Sequence, residues 1–448
     1  MVVPIVSIPA SIEAGLAPYR DLFPRSETYQ HIKEYCTGLV VLEKPSIHRL
    51  AACLVDGPAQ SSINKALTRS PWSGEAVNQR RLEQIQKPHR GKGLRIGIID
   101  STFSHHPRGE KKIYGVYRYW DYVNGRYTYA IQLMTAAIAT GERCDGFDYR
   151  IYHRFHQQQE LAYLEAPRLS PAEPDRQQWL RRLIELLTYD LHRRQHKTKP
   201  QLGAELIEQM ETFERAPEVY TVDSVLFAPV VIETIEKHGK RWLADSEKTR
   251  WVFWQGQTFT CETFAQFRPD QAYRPVRLTR RGQAKMYWVF TCGVRIRKYG
   301  KVRLAVIYDN PDRQGKPIYC FTRQLTWNAQ KIIQVRCHRW DIEPLHEQIK
   351  QFLGAEDSQL QTEAGVRRHL MLVFVVNSLL KSLDLSQPIG DLPMTEFTDV
   401  IPTFGQRCRR ILLEMFYDLI QTIAQWLKEN QMTPSQIFEL LFNRLLYV

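Results

Sequence analysis

Hydrophobic residues alternate with small or polar ones in the segment LRIGIID, which covers residues 94–100. Leu94, Ile96 and Ile98 fall on one side of an extended chain, so the pattern predicts a buried strand that ends at Asp100. Two runs rich in aromatic and β-branched residues follow at 114–123 and 126–139, separated by Asn124-Gly125. This dipeptide between such runs predicts a tight hairpin. We therefore expect a strand, a loop and two antiparallel strands.

A second short strand that ends in an acid is predicted further along the chain. A helix around 201–213 leads into VYTVD, where Asp223 follows four residues of strand character. Residues from about 245 to 325 then predict aromatic and basic strands. Between 274 and 303 there are ten Lys and Arg residues and no Asp or Glu. Such strands suit a phosphate backbone, although a solvated sheet face would also alternate in this way.

The rest of the chain follows the helical period. An apolar stripe predicts a helix that starts near Thr326, and its members are Ile332, Val335, Ile342, Leu345, Ile349 and Phe352. On the same helix Arg339, Glu343, His346 and Lys350 fall within about 60° of arc at 100° per residue. Further helices are predicted at about 364–384 and 405–428. The last helix, from Thr433, opens with T-P-S-Q, a capping-box sequence.

Residues 1–92 are predicted to be helical. Two short helices flank Asp56-Gly57-Pro58, which is the outline of a helix-turn-helix motif. The outward positions of the second helix carry Asn64, Lys65 and Arg69, which can bond phosphates or base edges. An ordinary helical hairpin fits the same pattern, because no residue in it is diagnostic of DNA binding.

Charge narrows the class of partner. The chain has 448 residues, 61 Lys plus Arg and 48 Asp plus Glu, for a net charge of +13. This surplus favours a polyanionic partner, most often nucleic acid, or an anionic membrane surface.

The longest apolar stretch, at 370–380, is too short to span a membrane. The eight cysteines are scattered without a CxxC pair, which argues against a disulfide framework and a zinc site. We expect a reduced, intracellular, soluble protein.

Three acids carry the candidate chemistry. Asp100 and Asp223 each follow an apolar strand, and Glu343 lies on the helix beside basic residues. Carboxylates from two strands and a helix can hold two divalent ions, which activate the attacking oxygen and stabilise the leaving oxygen of a phosphodiester. Magnesium suits such ligands, being a hard, oxygen-seeking ion. Each acid taken singly could equally be a strand-end cap or a solvated helix carboxylate.

These residues resemble a known family. The three acids are similar to those of the DDE transposases of bacterial insertion sequences, in the group with a Tyr-x2-Arg-x3-Glu-x6-Lys signature. The chain reads RCHRWDIEPLHEQIK from 336 to 350, so Arg339, Glu343 and Lys350 match in type and spacing. Arg336 stands where the signature has tyrosine. The segments LTRSPWS and DYRIYHR also resemble this group, and the resemblance covers roughly residues 40–385.

The resemblance implies an α/β fold with a ribonuclease-H-like mixed sheet. We expect a helical DNA-binding domain at 1–92, a catalytic domain at 93–385 with a β-rich insertion at about 245–325, and a helical region at 386–448. Asp100, Asp223 and Glu343 would be catalytic and bind Mg²⁺, for which Mn²⁺ can substitute. The expected DNA-binding residues are Arg336, Arg339, His346, Lys350, Arg295, Arg297, Lys298, Asn64, Lys65 and Arg69.

The implied activity is cleavage at the ends of an insertion sequence and joining of 3′-hydroxyls to target DNA. The expected partner is double-stranded DNA, both terminal inverted repeats and target, with a homodimer on DNA, no membrane, and a location at the nucleoid in the bacterial cytoplasm. Two other functions stay open: a metal-dependent DNA nuclease that cuts without joining, and a catalytically silent, transposase-derived DNA-binding regulator. A strand-transfer assay separates the transposase from the nuclease.

Overall fold

A single mixed β-sheet runs through the chain, with helices packed against it. The computed structural model describes residues 3–87, 93–106, 112–121, 124–154, 176–280, 282–392, 402–429 and 431–442. The strands are β1 Arg95–His105, β2 Tyr117–Asp121, β3 Arg126–Thr140, β4 Arg143–Tyr152, β5 Val219–Val222, β6 Arg241–Ser246, β7 Trp251–Trp254, β8 Gln257–Thr260, β9 Arg274–Arg280, β10 Gln283–Ile296, β11 Gly300–Tyr308 and β12 Ile318–Thr322.

The helices precede, interrupt and follow these strands. They are α1 Ala10–Leu16, α2 Ser26–Val41, α3 Ile47–Cys53, α4 Gln60–Thr68, α5 Gly74–Gln86, α6 Arg176–Gln195, α7 Lys199–Glu211, α8 Pro229–Lys237, α9 Cys261–Gln266, α10 Ala329–Cys337, α11 Ile342–Glu347, α12 Glu363–Ser382, α13 Phe404–Lys428 and α14 Pro434–Phe442. Helices therefore occupy both ends of the chain, as the sequence predicts.

The centre of the sheet has the order β4-β3-β1-β5-β6. β3 pairs antiparallel with β1, whereas β1, β5 and β6 run parallel to one another. Parallel neighbours need crossover connections, and the helices between β4 and β5 and between β5 and β6 supply them. The expected α/β fold with a mixed, ribonuclease-H-like sheet is confirmed.

The predicted hairpin is present, with different strand lengths. β2 and β3 pair up to Asp121 and Arg126, and Gly125 in the connection has a φ of +61°, which favours glycine. β2 covers only part of the predicted run at 114–123, and residues 122–123 lie outside the described part of the chain. β1 is longer than predicted: it continues five residues beyond Asp100 because β3 still pairs with it there.

The β-rich insertion does not form a sheet of its own. Beyond β6 the same sheet continues in the order β12-β11-β10-β7-β8, with β9 paired to β10. The expected start of the insertion, at about residue 245, lies next to the end of β6 at Ser246. β6 pairs in parallel with β5 and therefore belongs to the central sheet. The added strands are β7 to β11, and β12 returns the chain to β6.

The helix predicted from Thr326 is irregular. It begins at α10, passes through a 3₁₀ segment at His338–Asp341, continues as α11 and ends in a π-helical turn at Gln348–Phe352. The apolar stripe is buried as expected except for Phe352, which is 38% exposed. A uniform turn of 100° per residue is therefore wrong for this segment, because 3₁₀ and π turns advance by different angles.

The apolar segment at 370–380 forms the buried middle of α12. α2, α4 and α5 pack against α12, so the N-terminal helices share one hydrophobic core with it. Within the described part of the chain no helix is both long enough and apolar enough to cross a membrane. The predicted C-terminal helices are present as α13 and α14, and Thr433 and Gln436 exchange the bonds of a capping box.

Candidate active site

Three aspartates lie side by side on the three parallel strands. The β1–β5 pairing runs to Ile99 and Val222, and the β5–β6 pairing runs to Val222 and Ala244. The next residue along the chain in each case is an aspartate: Asp100 and Asp245 within their strands, and Asp223 directly after β5. The two acids predicted from the sequence therefore do meet at the carboxyl end of the parallel pairing, where sites in such sheets form. Asp100 lies within β1 rather than at its end.

Burial raises the pKa values of the first two acids, and in each case a neighbouring aspartate adds to the effect. Burial, together with the nearby charge of Asp223, raises the pKa of Asp100 to about 7, although Arg339 acts in the opposite direction. Burial also raises the pKa of Asp223. The hydrogen bond that its Oδ1 accepts from the Leu226 N–H at 2.8 Å acts in the opposite direction. Carboxyl groups whose charged forms are disfavoured by burial can be stabilised by a cation.

Arg339 supplies that positive charge. Its Nη1 lies 3.3 Å from Asp100 Oδ2, and its Nη2 lies 3.8 Å from Glu343 Oε1. Arg339 thus connects the strand acid to the helix acid, and the structure brings the predicted residues Asp100, Asp223, Arg339 and Glu343 to one place. The Glu343 side chain is 60% exposed. It reaches the site from the solvent side, whereas Asp100 approaches from the sheet.

Asp245 is the acid that the sequence analysis missed. Arg336 donates from Nε to its Oδ1 at 3.1 Å and from Nη2 to its Oδ2 at 3.0 Å. Arg339 Nε also lies 3.0 Å from Oδ2. The available signal was the segment WLAD, which ends a buried strand in an acid just as LRIGIID and VYTVD do.

Arg336 is not placed for the DNA contact expected of it. The residue is 4% exposed, and its guanidinium forms the two-bonded pair with Asp245 and lies 4.6 Å from the centroid of Trp340. A guanidinium with a bidentate carboxylate partner has few donors left for a phosphate. The difference arises because β6 brings Asp245 under the helix.

His346 is also buried instead of facing DNA. Its Nε2 lies 2.7 Å from Thr135 Oγ1, and the Thr135 hydroxyl donates to the Asp100 carbonyl oxygen at 3.1 Å. Burial, and the charge of Lys350 to a smaller extent, lower the pKa of His346 to about 3, so the ring is neutral at pH 7. The threonine has one proton to give, so Nε2–H must donate to it. His346 therefore supports the backbone of β1 at Asp100.

Lys350 lies on the π-helical turn and is partly buried. Burial lowers the pKa of its amine, while Glu356 and Asp121 act to raise it. The four residues predicted on one helix face thus separate: Arg339 and Glu343 meet at the site, His346 points into the protein, and Lys350 lies near other acids. Glu343 and His346 share the regular turn of α11, whereas Lys350 lies beyond the point at which the π-helical turn begins.

The basic residues of the insertion lie on an exposed hairpin. Arg295 is near the end of β10, and Arg297 and Lys298 form the turn before β11. All three are exposed. Tyr299 fixes this hairpin to the loop after Asp223, because its hydroxyl donates to the Phe227 carbonyl oxygen at 3.3 Å and the two rings stack at 4.7 Å. Basic side chains therefore lie on a hairpin that is attached to the loop after Asp223.

The second helix of the N-terminal hairpin has the predicted faces. Ile63, Ala66 and Leu67 are buried, and Asn64, Lys65 and Arg69 are exposed. These three residues are available to a large ligand. α4 packs against α2, α3 and α12 through its other face.

The side chains of Asp100, Asp223 and Glu343 fit a hard divalent cation, since carboxylate oxygens are the ligands that Mg²⁺ prefers. In the conformation described, no group of three or more His, Cys, Asp or Glu side chains among the described residues is arranged to hold an ion. Arg339 instead contacts Asp100 and Glu343, and no acceptor lies in line with its buried Nε–H. Its 3.0 Å contact with Asp245 Oδ2 is therefore an ion pair without hydrogen-bond geometry, and the contacts with Asp100 and Glu343 are the ones for which a cation would compete.

Two family models match the chain. The model described as DDE superfamily endonuclease matches residues 18–228, and the model described as Transposase DDE domain matches residues 180–379. These matches support a DDE transposase. The first includes Asp100, the second includes Glu343, and Asp223 lies in both. No curated protein matches the chain. The matches support a transposase-type endonuclease that acts on DNA, and such families generally depend on a divalent metal.

Proposed function

We propose that the chain is an insertion-sequence transposase that binds terminal inverted repeats, cleaves DNA at the element ends and joins 3′-hydroxyls to target DNA. The observation that carries the proposal is the alignment of Asp100 and Asp223 at the end of the β1–β5 pairing, with Arg339 between Asp100 and Glu343. The Arg-x3-Glu spacing therefore corresponds to a spatial contact with the first acid.

Asp100, Asp223 and Glu343 are the residues that would hold the divalent ions. When bound, two Mg²⁺ ions, or Mn²⁺ in their place, would activate the attacking oxygen and stabilise the leaving oxygen of the phosphodiester. Burial raises the pKa values of both Asp100 and Asp223, so a nearby cation would favour their charged forms.

Arg339 has two roles in this proposal. Without a cation it offsets the negative charge of Asp100 and Glu343. When those carboxylates are otherwise engaged, its planar guanidinium can bind a phosphate oxygen near the cleaved bond. His346, held neutral and donating to Thr135, keeps the Asp100 backbone in position.

DNA would contact two separate basic surfaces. The hairpin with Arg295, Arg297 and Lys298 is fixed beside the loop after Asp223, so it can bind phosphates close to the cleaved bond. The exposed side chains of α4 (Asn64, Lys65 and Arg69) can read or position the terminal repeat. A homodimer would bring two element ends together, and action on chromosomal DNA would place it at the nucleoid.

The test compares two glutamates on α11. Glu343→Gln keeps the size of the side chain but removes one negative charge from the site, so we expect it to abolish Mg²⁺-dependent cleavage. Binding of the end should stay near normal or become slightly tighter, since repulsion of phosphate falls. Glu347→Gln, an exposed position on the same helix, should change cleavage little. The assay is cleavage of a labelled terminal duplex, with a gel shift on the same preparations. Normal cleavage by Glu343→Gln would contradict the assignment of the third acid.

A nuclease that cuts without joining would give the same result in that assay. Incubating pre-cleaved ends with a plasmid and Mg²⁺ separates the two activities, because only a transposase forms joined products. Cleavage without joined products would favour the nuclease.

A further inference from the structure

Asp245 holds two arginines at the proposed active site. Its Oδ1 accepts from Arg336 Nε and from the Cys320 thiol, both at 3.1 Å. Its Oδ2 lies 3.0 Å from both Arg336 Nη2 and Arg339 Nε. Both oxygens therefore have cationic or donor partners from the protein itself. At Asp100, by comparison, Oδ1 accepts from the Ser101 backbone N–H at 2.7 Å, and Oδ2 lies 3.3 Å from Arg339 Nη1.

The contact also sets the position of Arg339. The guanidinium lies between the carboxylates of Asp245, Asp100 and Glu343, one on each of its three nitrogens. A cation that binds Asp100 and Glu343 competes with two of these contacts. Asp245 is not a proposed metal ligand, so its contact with Arg339 Nε can remain when the cation binds. Asp245 can thus keep Arg339 compensated while the other acids bind a metal.

We propose that Asp245 is a positioning residue for Arg339, and that it lowers the competition between Arg339 and the divalent cation for Asp100 and Glu343. This inference rests on the proposed function. Without Asp245, the ion pairs of Arg339 would be those with Asp100 and Glu343. A metal that binds these two carboxylates would then compete with both of the ion pairs left to Arg339.

Replacing Asp245 alone would leave the buried Arg336 without its counterion, and such a protein can fail to fold. Arg336→Met avoids this problem. It removes the buried positive charge and keeps the ion pair between Asp245 and Arg339. The informative comparison is therefore between Arg336→Met and the double variant Arg336→Met with Asp245→Asn. Thermal denaturation first checks that both are folded.

The measurement is Mn²⁺ binding by calorimetry on the DNA-free full chain, with the Mg²⁺ concentration for half-maximal cleavage as a second readout. We expect Mn²⁺ affinity to be about tenfold weaker in the double variant than in Arg336→Met, as the loss of a charge-assisted contact implies. Adding Arg339→Gln to the double variant should restore the affinity, because the competing guanidinium is then absent. DNA affinity should change less than about twofold.

Glu247→Gln in the Arg336→Met background is the matched control. Glu247 is two residues beyond Asp245 and accepts a hydrogen bond from Ser224 at 2.6 Å, so its removal takes one negative charge from the same region. We expect little change in Mn²⁺ affinity. If Glu247→Gln weakens Mn²⁺ binding as much as Asp245→Asn does, the effect comes from the loss of any negative charge in this region, and the inference is overturned. Equal affinities with and without Asp245, or a loss that persists without Arg339, would also overturn it.

Asp100→Asn separates this inference from the proposed function. If Asp100→Asn leaves Mn²⁺ binding unchanged, the metal does not bind at the three acids and the proposed function itself fails. If Asp100→Asn abolishes binding while Asp245→Asn has no effect in the Arg336→Met background, only the role of Asp245 is wrong.

Discussion

The buried carboxyl group of Asp100 should make the metal-free protein less stable as the pH rises. Its pKa is about 7 in the folded protein and 3.8 as the ordinary value, because burial and the charge of Asp223 disfavour the carboxylate. Between these two values the folded state holds a proton that the unfolded chain has released. The free energy of unfolding therefore falls with pH in this window, by about 1.4 kcal/mol per unit.

Asp100→Asn removes this pH dependence. Between pH 5 and pH 7 the wild-type protein loses about 3 kcal/mol through Asp100, and the asparagine variant does not. The free energy of unfolding of the variant, relative to that of the wild type, should therefore be about 3 kcal/mol higher at pH 8 than at pH 5. For a chain of 448 residues this difference corresponds to roughly 3 °C in the melting temperature.

The assay is thermal denaturation of both proteins in EDTA at pH 5 and pH 8. Glu347→Gln serves as the control, because an exposed carboxylate should show no comparable change between the two pH values. A difference between Asp100→Asn and wild type that is the same at both pH values would mean that Asp100 is already ionised in the folded protein. The argument for a cation-seeking pair of aspartates would then fail. In Mg²⁺ at pH 8, wild type should be stabilised and Asp100→Asn should not.

Three further outcomes follow from the same geometry. Replacing Arg295, Arg297 and Lys298 together by Gln should reduce the log–log salt slope of DNA affinity by about 3 on duplex DNA, and an unchanged slope in gel shifts would place the DNA elsewhere. Replacing Asn64, Lys65 and Arg69 by Ala should remove the preference for terminal repeats over random duplex in competition gel shifts without lowering the melting temperature, and a retained preference would exclude α4 from recognition. Because burial lowers the pKa of His346 to about 3, His346→Gln should leave the shape of the pH–rate profile above pH 6 unchanged, and a lost inflection there would contradict the neutral ring.

Local patterns in the sequence predicted much of the architecture. Period-two alternation located β1, the short run VYTV located β5, Asn124-Gly125 located the β2–β3 turn, and the helical period located α12 and α13. These predictions succeed because side-chain alternation and turn chemistry act between residues close in the chain. The spacing of Arg339 and Glu343 also succeeds, since four residues of helix keep them within reach of each other.

The sequence could not show which strands become neighbours. β6 lies next to β5 only because the chain returns to the sheet in parallel, and this pairing brings Asp245 level with Asp223. Asp245 in turn explains why Arg336 is buried in an ion pair instead of facing DNA. Likewise, His346 reaches Thr135 only because α11 packs against β3, and the helical period of the sequence does not show which strand lies under the helix.

The sequence by itself therefore determined the elements, the basic character and the three acids as separate candidates. The tertiary structure decided which charges share one buried place. Asp100, Asp223, Asp245 and Arg339 come from segments far apart in the chain, and their interaction depends on the register of long-range strand pairs. Local propensity contains no information on that register, because it is set by the packing of the whole sheet against its helices.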